Sequence, residues 1–253
     1  PATATMNDFA ADASAAIAFL KARSDIDGAR IGLAGHSEGG IVAPLVAAGS
    51  KDVAFVVMIA GPTVRGDSLM FAQGELIGRI SGQTEELRAK NRRTQELLFR
   101  LALTGEGRDE TERMAREVTR MAVGAPVTGG TPEQEEMVAA NVRGQMALAD
   151  SPWLRTFLVY DPLPMLARVT CPVLALFGAN DLQVPPSMNV PPLEALAREP
   201  RRDLRVRVAG RGGTALVVPG EAVVNTGEHK YVFLARADGH FEPRMVWTGV
   251  QDG

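Results

Sequence analysis

The chain is of α/β class, and three observations predict it. Helical segments alternate with short, continuous apolar runs over residues 7–60, the pattern of a doubly wound sheet. Strand character returns at Val173–Gly178 after a long stretch rich in Arg, Glu and Met that contains no strand signal. A final segment, from about Thr214, changes to short β-runs separated by turn residues.

Each element follows from its residues. Phe9, Ala13, Ile17 and Leu20 line one face of a helix over about residues 7–23, with Thr5 or Asn7 as its cap. After the Asp27-Gly28 turn, residues 30–34 (Arg-Ile-Gly-Leu-Ala) read as a buried parallel strand. Residues 38–48, with Ile41, Val42, Leu45 and Val46, suit a helix packed on a sheet, and residues 53–60 form another apolar strand. From about Gly66 to Leu166 long helical segments are separated at residues 104–107 and 126–132, each rich in turn formers. Because strand character resumes afterwards, this stretch reads as a helical cap inserted into an unfinished sheet. A short helix over 193–198 and a strand over Leu204–Ala209 complete it. The expected division is 1–65 core, 66–166 cap, 167–209 second part of the core and 210–253 a β-rich tail of different character.

Composition narrows the function classes. With 253 residues and 45% hydrophobic content the chain can bury a substantial core. A net charge of −3, from 27 basic and 30 acidic residues, gives no electrostatic footprint for nucleic acid or anionic lipid. No apolar run approaches the ~18 residues of a membrane span, and no basic-then-apolar pattern of a signal peptide opens the sequence. The reading is of a soluble chain without membrane insertion, and cytoplasmic and periplasmic locations stay equally open. One cysteine, Cys171, excludes an internal disulfide and a cysteine-rich metal site.

The chemistry-bearing segment is Gly35-His36-Ser37-Glu38-Gly39-Gly40. Gly-x-Ser-x-Gly marks a strained strand-to-helix turn that lifts a serine hydroxyl above a sheet, and side chains at the two glycine positions are expected to collide there. With 26 glycines present, chance alone yields roughly 0.1 such matches. The strand before it and the helix after it supply the required context. A serine needs a base, and the base an orienting carboxylate. Asp181 lies just past the apolar run 173–178, where side chains reach the crevice at the strand ends. The alternative for Asp181 is a cap for its own turn.

These residues carry a family resemblance. Residues 27–40 and 171–181 resemble the α/β-hydrolase superfamily, specifically the capped bacterial carboxylesterases related to dienelactone hydrolases, and the likeness extends over about residues 7–209. It implies a nucleophile at Ser37, a triad acid at Asp181 and an oxyanion-hole donor at the backbone N–H of Glu38. It also implies a small-molecule ester substrate, hydrolysed through an acyl-enzyme without metal or organic cofactor. The pattern departs from the family in three ways. Only 36 residues precede Ser37, so the early strands and the loop that supplies a second oxyanion donor are expected to be missing from the sheet. The loop after Leu204–Ala209, where the family carries its histidine, reads Gly210-Arg211-Gly212-Gly213-Thr214. His36 sits inside the elbow at a variable position, leaving His240 as the candidate base with His229 as its rival, each also readable as a surface histidine. Thirdly, residues 215–228, 231–233 and 238–244 resemble the membrane-proximal part of periplasmic efflux-pump adaptors, a noncatalytic alternative for the chain.

The fold class expected is therefore a partial α/β-hydrolase sheet with a helical cap insertion and a short β-rich C-terminal tail. Cys171 reads as an apolar filler. Trp153, Met114, Met121, Met137 and Met146 could line an acyl pocket or pack helices together.

Overall fold

The computed structural model describes residues 3–200, 203–210, 224–225, 230–235 and 241–246. Two compact units divide the chain, Pro1–Arg211 and Gly212–Gly253. In the first, β1 (Leu33–His36), β2 (Val56–Ile59), β3 (Val173–Gly178) and β4 (Leu204–Ala209) pair in that order, all parallel. Parallel neighbours require crossovers. Helix α2 (Gly39–Gly49) links β1 to β2, and α9 (Pro186–Ala197) links β3 to β4. Between β2 and β3 run α3 (Gly66–Ile80), α4 (Glu85–Thr104), α5 (Arg108–Ala122), α6 (Pro132–Asp150), α7 (Pro152–Val159) and the short α8 (Leu163–Leu166). The fold class is α/β, as the alternation of helical and apolar segments predicts.

Helix α1 (Met6–Lys21) starts at Thr5, whose backbone N–H and hydroxyl both donate to the Asp8 carboxylate at 2.8 Å. These bonds hold the Asp8 carboxyl below its ordinary pKa, the side-chain bond from Thr5 contributing most. Of the expected stripe, Ile17 is buried and Ala13 and Leu20 pack beside it, while Phe9 is exposed. A 3₁₀ turn at Gly28–Arg30, capped by Asp27 accepting from the Ala29 N–H at 3.0 Å, takes up the start of the expected first strand. The strand therefore begins later, at Leu33, and runs on to His36.

One face of the sheet is covered. Val56, Met58, Val173, Ala175 and Phe177 are buried against Val42 and Val46 of α2 and Leu193 of α9. On the other face Ala34, His36 and Ile59 are exposed and Leu174 and Leu176 are partly so. The expectation of strands buried on both faces thus holds for one face only. Helix α2 is apolar almost all round because it lies at the centre of this unit, between α1 and the sheet.

The six helices between β2 and β3 have a core of their own, including Leu98, Leu101, Ala115, Val138, Val142, Met146, Leu154 and Leu158. Helix α4 stops where Gly105 takes φ 77°, a left-handed cap that glycine adopts without strain. Thr131 and Gln134 form a reciprocal capping box at the start of α6, and both Glu135 oxygens accept from Arg120 Nη2 at 2.7 and 2.8 Å, tying α5 to α6.

Helix α9 is longer than the sequence predicts. It contains Pro191 and Pro192, which lack the N–H that a helix interior uses, so propensity places the start after them. Instead the helix opens with Pro186 in its first turn, a position where no N–H partner is lost. In the second unit β5 (Val224–Asn225), β6 (Lys230–Ala235) and β7 (Phe241–Val246) form an antiparallel sheet in chain order. The expected run at 215–218 lies outside the described residues. No helix among the described residues is long and apolar enough to cross a membrane.

Candidate active site

Ser37 occupies the single residue between the end of β1 and Glu38, the N-cap of α2, and its φ is 54°. A non-glycine residue in this region stores of order 1 kcal/mol or more and persists only where its surroundings enforce it. Those surroundings are explicit. The Ser37 N–H donates to the Ile59 carbonyl at 2.9 Å, and its own carbonyl accepts from the Gly40 N–H at 2.9 Å. Ala60, one residue beyond β2, has φ 48° and donates its N–H to the Leu176 carbonyl at 2.8 Å. Two strained residues thus stand side by side at the C-terminal edge of the sheet, the edge at which open α/β sheets bind ligands.

The glycines are needed for reasons partly different from those the motif suggests. A Cβ on Gly35 would fall 1.9 Å from the Gly39 carbonyl oxygen, and one on Gly40 would fall 2.5 Å from the Gly61 Cα. A Cβ on Gly39 would meet nothing within 4 Å. The expected collision at the second motif glycine is therefore displaced by one residue, to Gly40, because the helix start is pressed against the loop after β2 and not against its own turn.

Glu38 contributes in two ways. Its carbonyl accepts from the Ile41 and Val42 N–H groups at 2.9 and 3.0 Å, while among the described residues no acceptor meets its own N–H. That N–H lies at the start of α2, where the helix dipole favours negative charge. Its side chain reaches the helical insertion, Oε1 accepting from Trp153 Nε1 at 2.5 Å.

Asp181 follows β3 at the same edge of the sheet. Its Oδ1 accepts from the Gln183 and Val184 N–H groups at 2.8 and 2.9 Å, so it does cap its own turn. No bond to Oδ2 is formed among the described residues. The capping and the orienting role are thus compatible: one oxygen fixes the carboxylate and the other is available. With β2 between them, the strands carrying Ser37 and Asp181 lie about 10 Å apart, two strand spacings.

The turn bearing Asp181 is anchored from two sides that the sequence reading missed. Asn189, fully buried, donates from Nδ2 to the Pro185 carbonyl at 2.9 Å and accepts from the Thr63 N–H at 2.9 Å, and the Thr63 hydroxyl donates to the Asn189 carbonyl at 2.7 Å. Gln73 of α3 donates to the Gln183 carbonyl at 2.6 Å. No sequence signal marks Asn189, because its burial and its bonds to Thr63 arise only in the folded chain.

The histidines are not brought to the serine by anything described. His36 is exposed on the uncovered sheet face, and His229 and His240 lie outside the described residues. Gly210, in the loop expected to hold a histidine, packs against Ala179, since a Cβ there would fall 2.9 Å from the Ala179 Cβ. Of the Met residues weighed for a pocket, Met146 is buried in the insertion's own core, whereas Met121 and Met137 are exposed. Cys171 packs at the opposite, N-terminal end of the sheet, and burial raises its thiol pKa. Among the described residues no cluster of His, Cys, Asp and Glu could hold a metal ion.

The BAAT / Acyl-CoA thioester hydrolase C terminal family matches residues 14–119, a stretch that includes Ser37 and the helices as far as α5. No match is found among curated proteins. Among solved structures the chain is similar to a carboxylesterase of the thaumarchaeon Nitrososphaera gargenis, with 16% identity over 84% of this chain and 65% of that one and a TM-score of 0.40. It is also similar to proline iminopeptidase of Mycobacterium smegmatis, with 20% identity over 81% and 64% and a TM-score of 0.44. A third likeness is to acetyl xylan esterase from Paenibacillus sp. R4, with 17% identity over 81% and 48% and a TM-score of 0.40. The chain spans less than two thirds of each of these proteins. None of these matches supports the likeness of the tail to efflux adaptors.

Proposed function

We propose, from the premise that residues 7–209 are of the α/β-hydrolase type, that the chain is a serine hydrolase acting on a carboxylic ester or thioester through an acyl-enzyme on Ser37. The observation that carries this reading is the strained Ser37 between β1 and α2, with the N–H of Glu38 beside it meeting no acceptor among the described residues. In this mechanism Ser37 Oγ attacks the acyl carbonyl and passes its proton to a histidine. The carbonyl oxygen becomes an oxyanion that accepts from the Glu38 N–H. Asp181 Oδ2 orients the imidazole and stabilises it once protonated. The protonated imidazole then gives its proton to the departing alcohol or thiol, and water releases the acid by the same steps in reverse. Thioesters enter this reading because the matched family is one of acyl-CoA thioester hydrolases.

The base is sought between His240 and His229, since the exposed His36 extends on the uncovered sheet face next to the residue it would serve. The test is labelling of the purified chain with a fluorophosphonate probe, followed by mapping of the adduct. An adduct on Ser37 that disappears in Ser37→Ala is expected. No adduct on Ser37 after prolonged exposure would remove the assignment. Labelling of His240→Ala and His229→Ala then identifies the base by which of the two slows the reaction.

A further inference from the structure

We propose that Trp153 is a positioning residue that makes the reactivity of Ser37 depend on docking of the helical insertion. This rests on the reading of Ser37 as nucleophile. Glu38 is the residue whose N–H would donate to the oxyanion, and its peptide plane is held at the Ser37 carbonyl by the Gly40 N–H. The second hold on Glu38 is its side chain, through the bond to Trp153 Nε1. A neutral donor on a carboxylate is a charge-assisted bond and among the stronger kinds.

Trp153 is itself firmly backed. Its ring stacks on Phe157 at 4.9 Å between centroids and 13° between planes. Phe157 is buried in one cluster with Met6 of α1, Ile41 of α2 and Leu69 of α3. At the start of α3 a Cβ on Gly66 would fall 2.0 Å from the Phe157 carbonyl oxygen, so α7 is pinned between α3 and the start of α2. The insertion touches the other half of the site as well, through Gln73 on the Gln183 carbonyl, whose residue's N–H donates to Asp181. Both chemistry-bearing turns are thus fastened to the insertion by a side-chain hydrogen bond. If the insertion lifts, Glu38 loses its second hold and its carboxylate is released beside the forming oxyanion, where negative charge is unfavourable.

The experiment measures fluorophosphonate inactivation of the full chain as a function of probe concentration, giving a maximal rate and a half-saturating concentration, for wild type, Trp153→Phe, Glu38→Ala and the double variant. Trp153→Phe keeps the stacked ring and removes only the donor, so the melting temperature reports that it folds. The maximal rate is expected to fall about tenfold, the scale of one charge-assisted hydrogen bond, with the half-saturating concentration unchanged. The double variant is expected to be no slower than the slower single variant, because both remove the same bond. An unchanged rate in Trp153→Phe, a change confined to the half-saturating concentration, or fully additive losses would each overturn the role of Trp153 while leaving Ser37 as nucleophile. Absence of any Ser37 adduct in wild type would overturn both.

Discussion

Alanine placed in turn at Gly35, Gly39 and Gly40 separates the physical requirements of the elbow from the letter of its motif. At Gly35 the new Cβ would meet the Gly39 carbonyl oxygen at 1.9 Å and the Gly39 carbonyl carbon at 2.2 Å. Both are backbone atoms of the turn itself, so no side chain can rotate away and the turn must open. Overpacking that displaces side chains costs about 1–3 kcal/mol, and a backbone clash belongs at or above the top of that range. At Gly40 the contact is with the Gly61 Cα at 2.5 Å, on a separate loop that can move back slightly, and about 2 kcal/mol is expected. At Gly39 there is open space and no positive φ, so alanine gains up to about 0.5–1 kcal/mol from the reduced freedom of the unfolded chain. Urea unfolding followed by far-UV circular dichroism checks the order. Gly39→Ala should unfold at or above the wild-type midpoint, Gly40→Ala below it, and Gly35→Ala lowest, displaced by roughly 1–2 M for a typical m-value. A loss of more than about 1 kcal/mol in Gly39→Ala, or a wild-type midpoint in Gly35→Ala, would refute the steric account.

Other outcomes follow from the same contacts. Ser37→Gly should be more stable than Ser37→Ala by about 1 kcal/mol, because only glycine relaxes the left-handed backbone, and equal thermal midpoints would argue against stored strain. Asn189→Ala leaves the Thr63 N–H buried without its acceptor and should cost about 2–3 kcal/mol in urea titration, whereas a surface-like loss of a few tenths would contradict the clamp. Burial raises the Cys171 thiol pKa, so the folded protein holds that proton when the unfolded chain has begun to lose it. Stability should then fall as pH rises past the unfolded thiol's pKa, and iodoacetamide should react with Cys171 more slowly than with free cysteine at pH 8.

What the sequence makes legible here is local. Val173–Gly178 and Leu204–Ala209 are strands over the same residues in both readings, because the first is an unbroken apolar run and the second alternates apolar residues with Arg205 and Arg207, each ending at a turn former. The elbow is legible for the same reason: Ser37, its flanking glycines and the helix after it are consecutive. The failures have equally local causes. Asp27 caps a 3₁₀ turn that takes in Arg30, the first residue of the expected strand, and Pro191 and Pro192 masked the first turns of a helix that tertiary contacts through Asn189 and Leu193 hold in place. The uncovered sheet face was invisible for a different reason. Ala34, Ile59, Leu174 and Leu176 are as apolar as the residues facing α2, so alternation gave no sign that their surroundings differ.

The site itself belongs to a different order of information. The chemical groups are named by short motifs, but the bonds that hold them join residues far apart in sequence: 110 positions from Gln73 to Gln183, 115 from Glu38 to Trp153 and 126 from Thr63 to Asn189. No periodicity or capping rule reaches across such separations. All three close on the C-terminal edge of one parallel sheet. Two of them, through Gln73 and Trp153, come from helices whose own core of Leu98, Val138 and Leu158 is separate from that of the sheet. The two cores meet where Leu69 and Phe157 pack with Met6 and Ile41, so a disturbance of the insertion's packing there would reach Glu38 and the Asp181 turn together. That is the physical reason to seek control of Ser37 in Trp153, which lies outside every motif in the sequence and directly touches the residue after the serine.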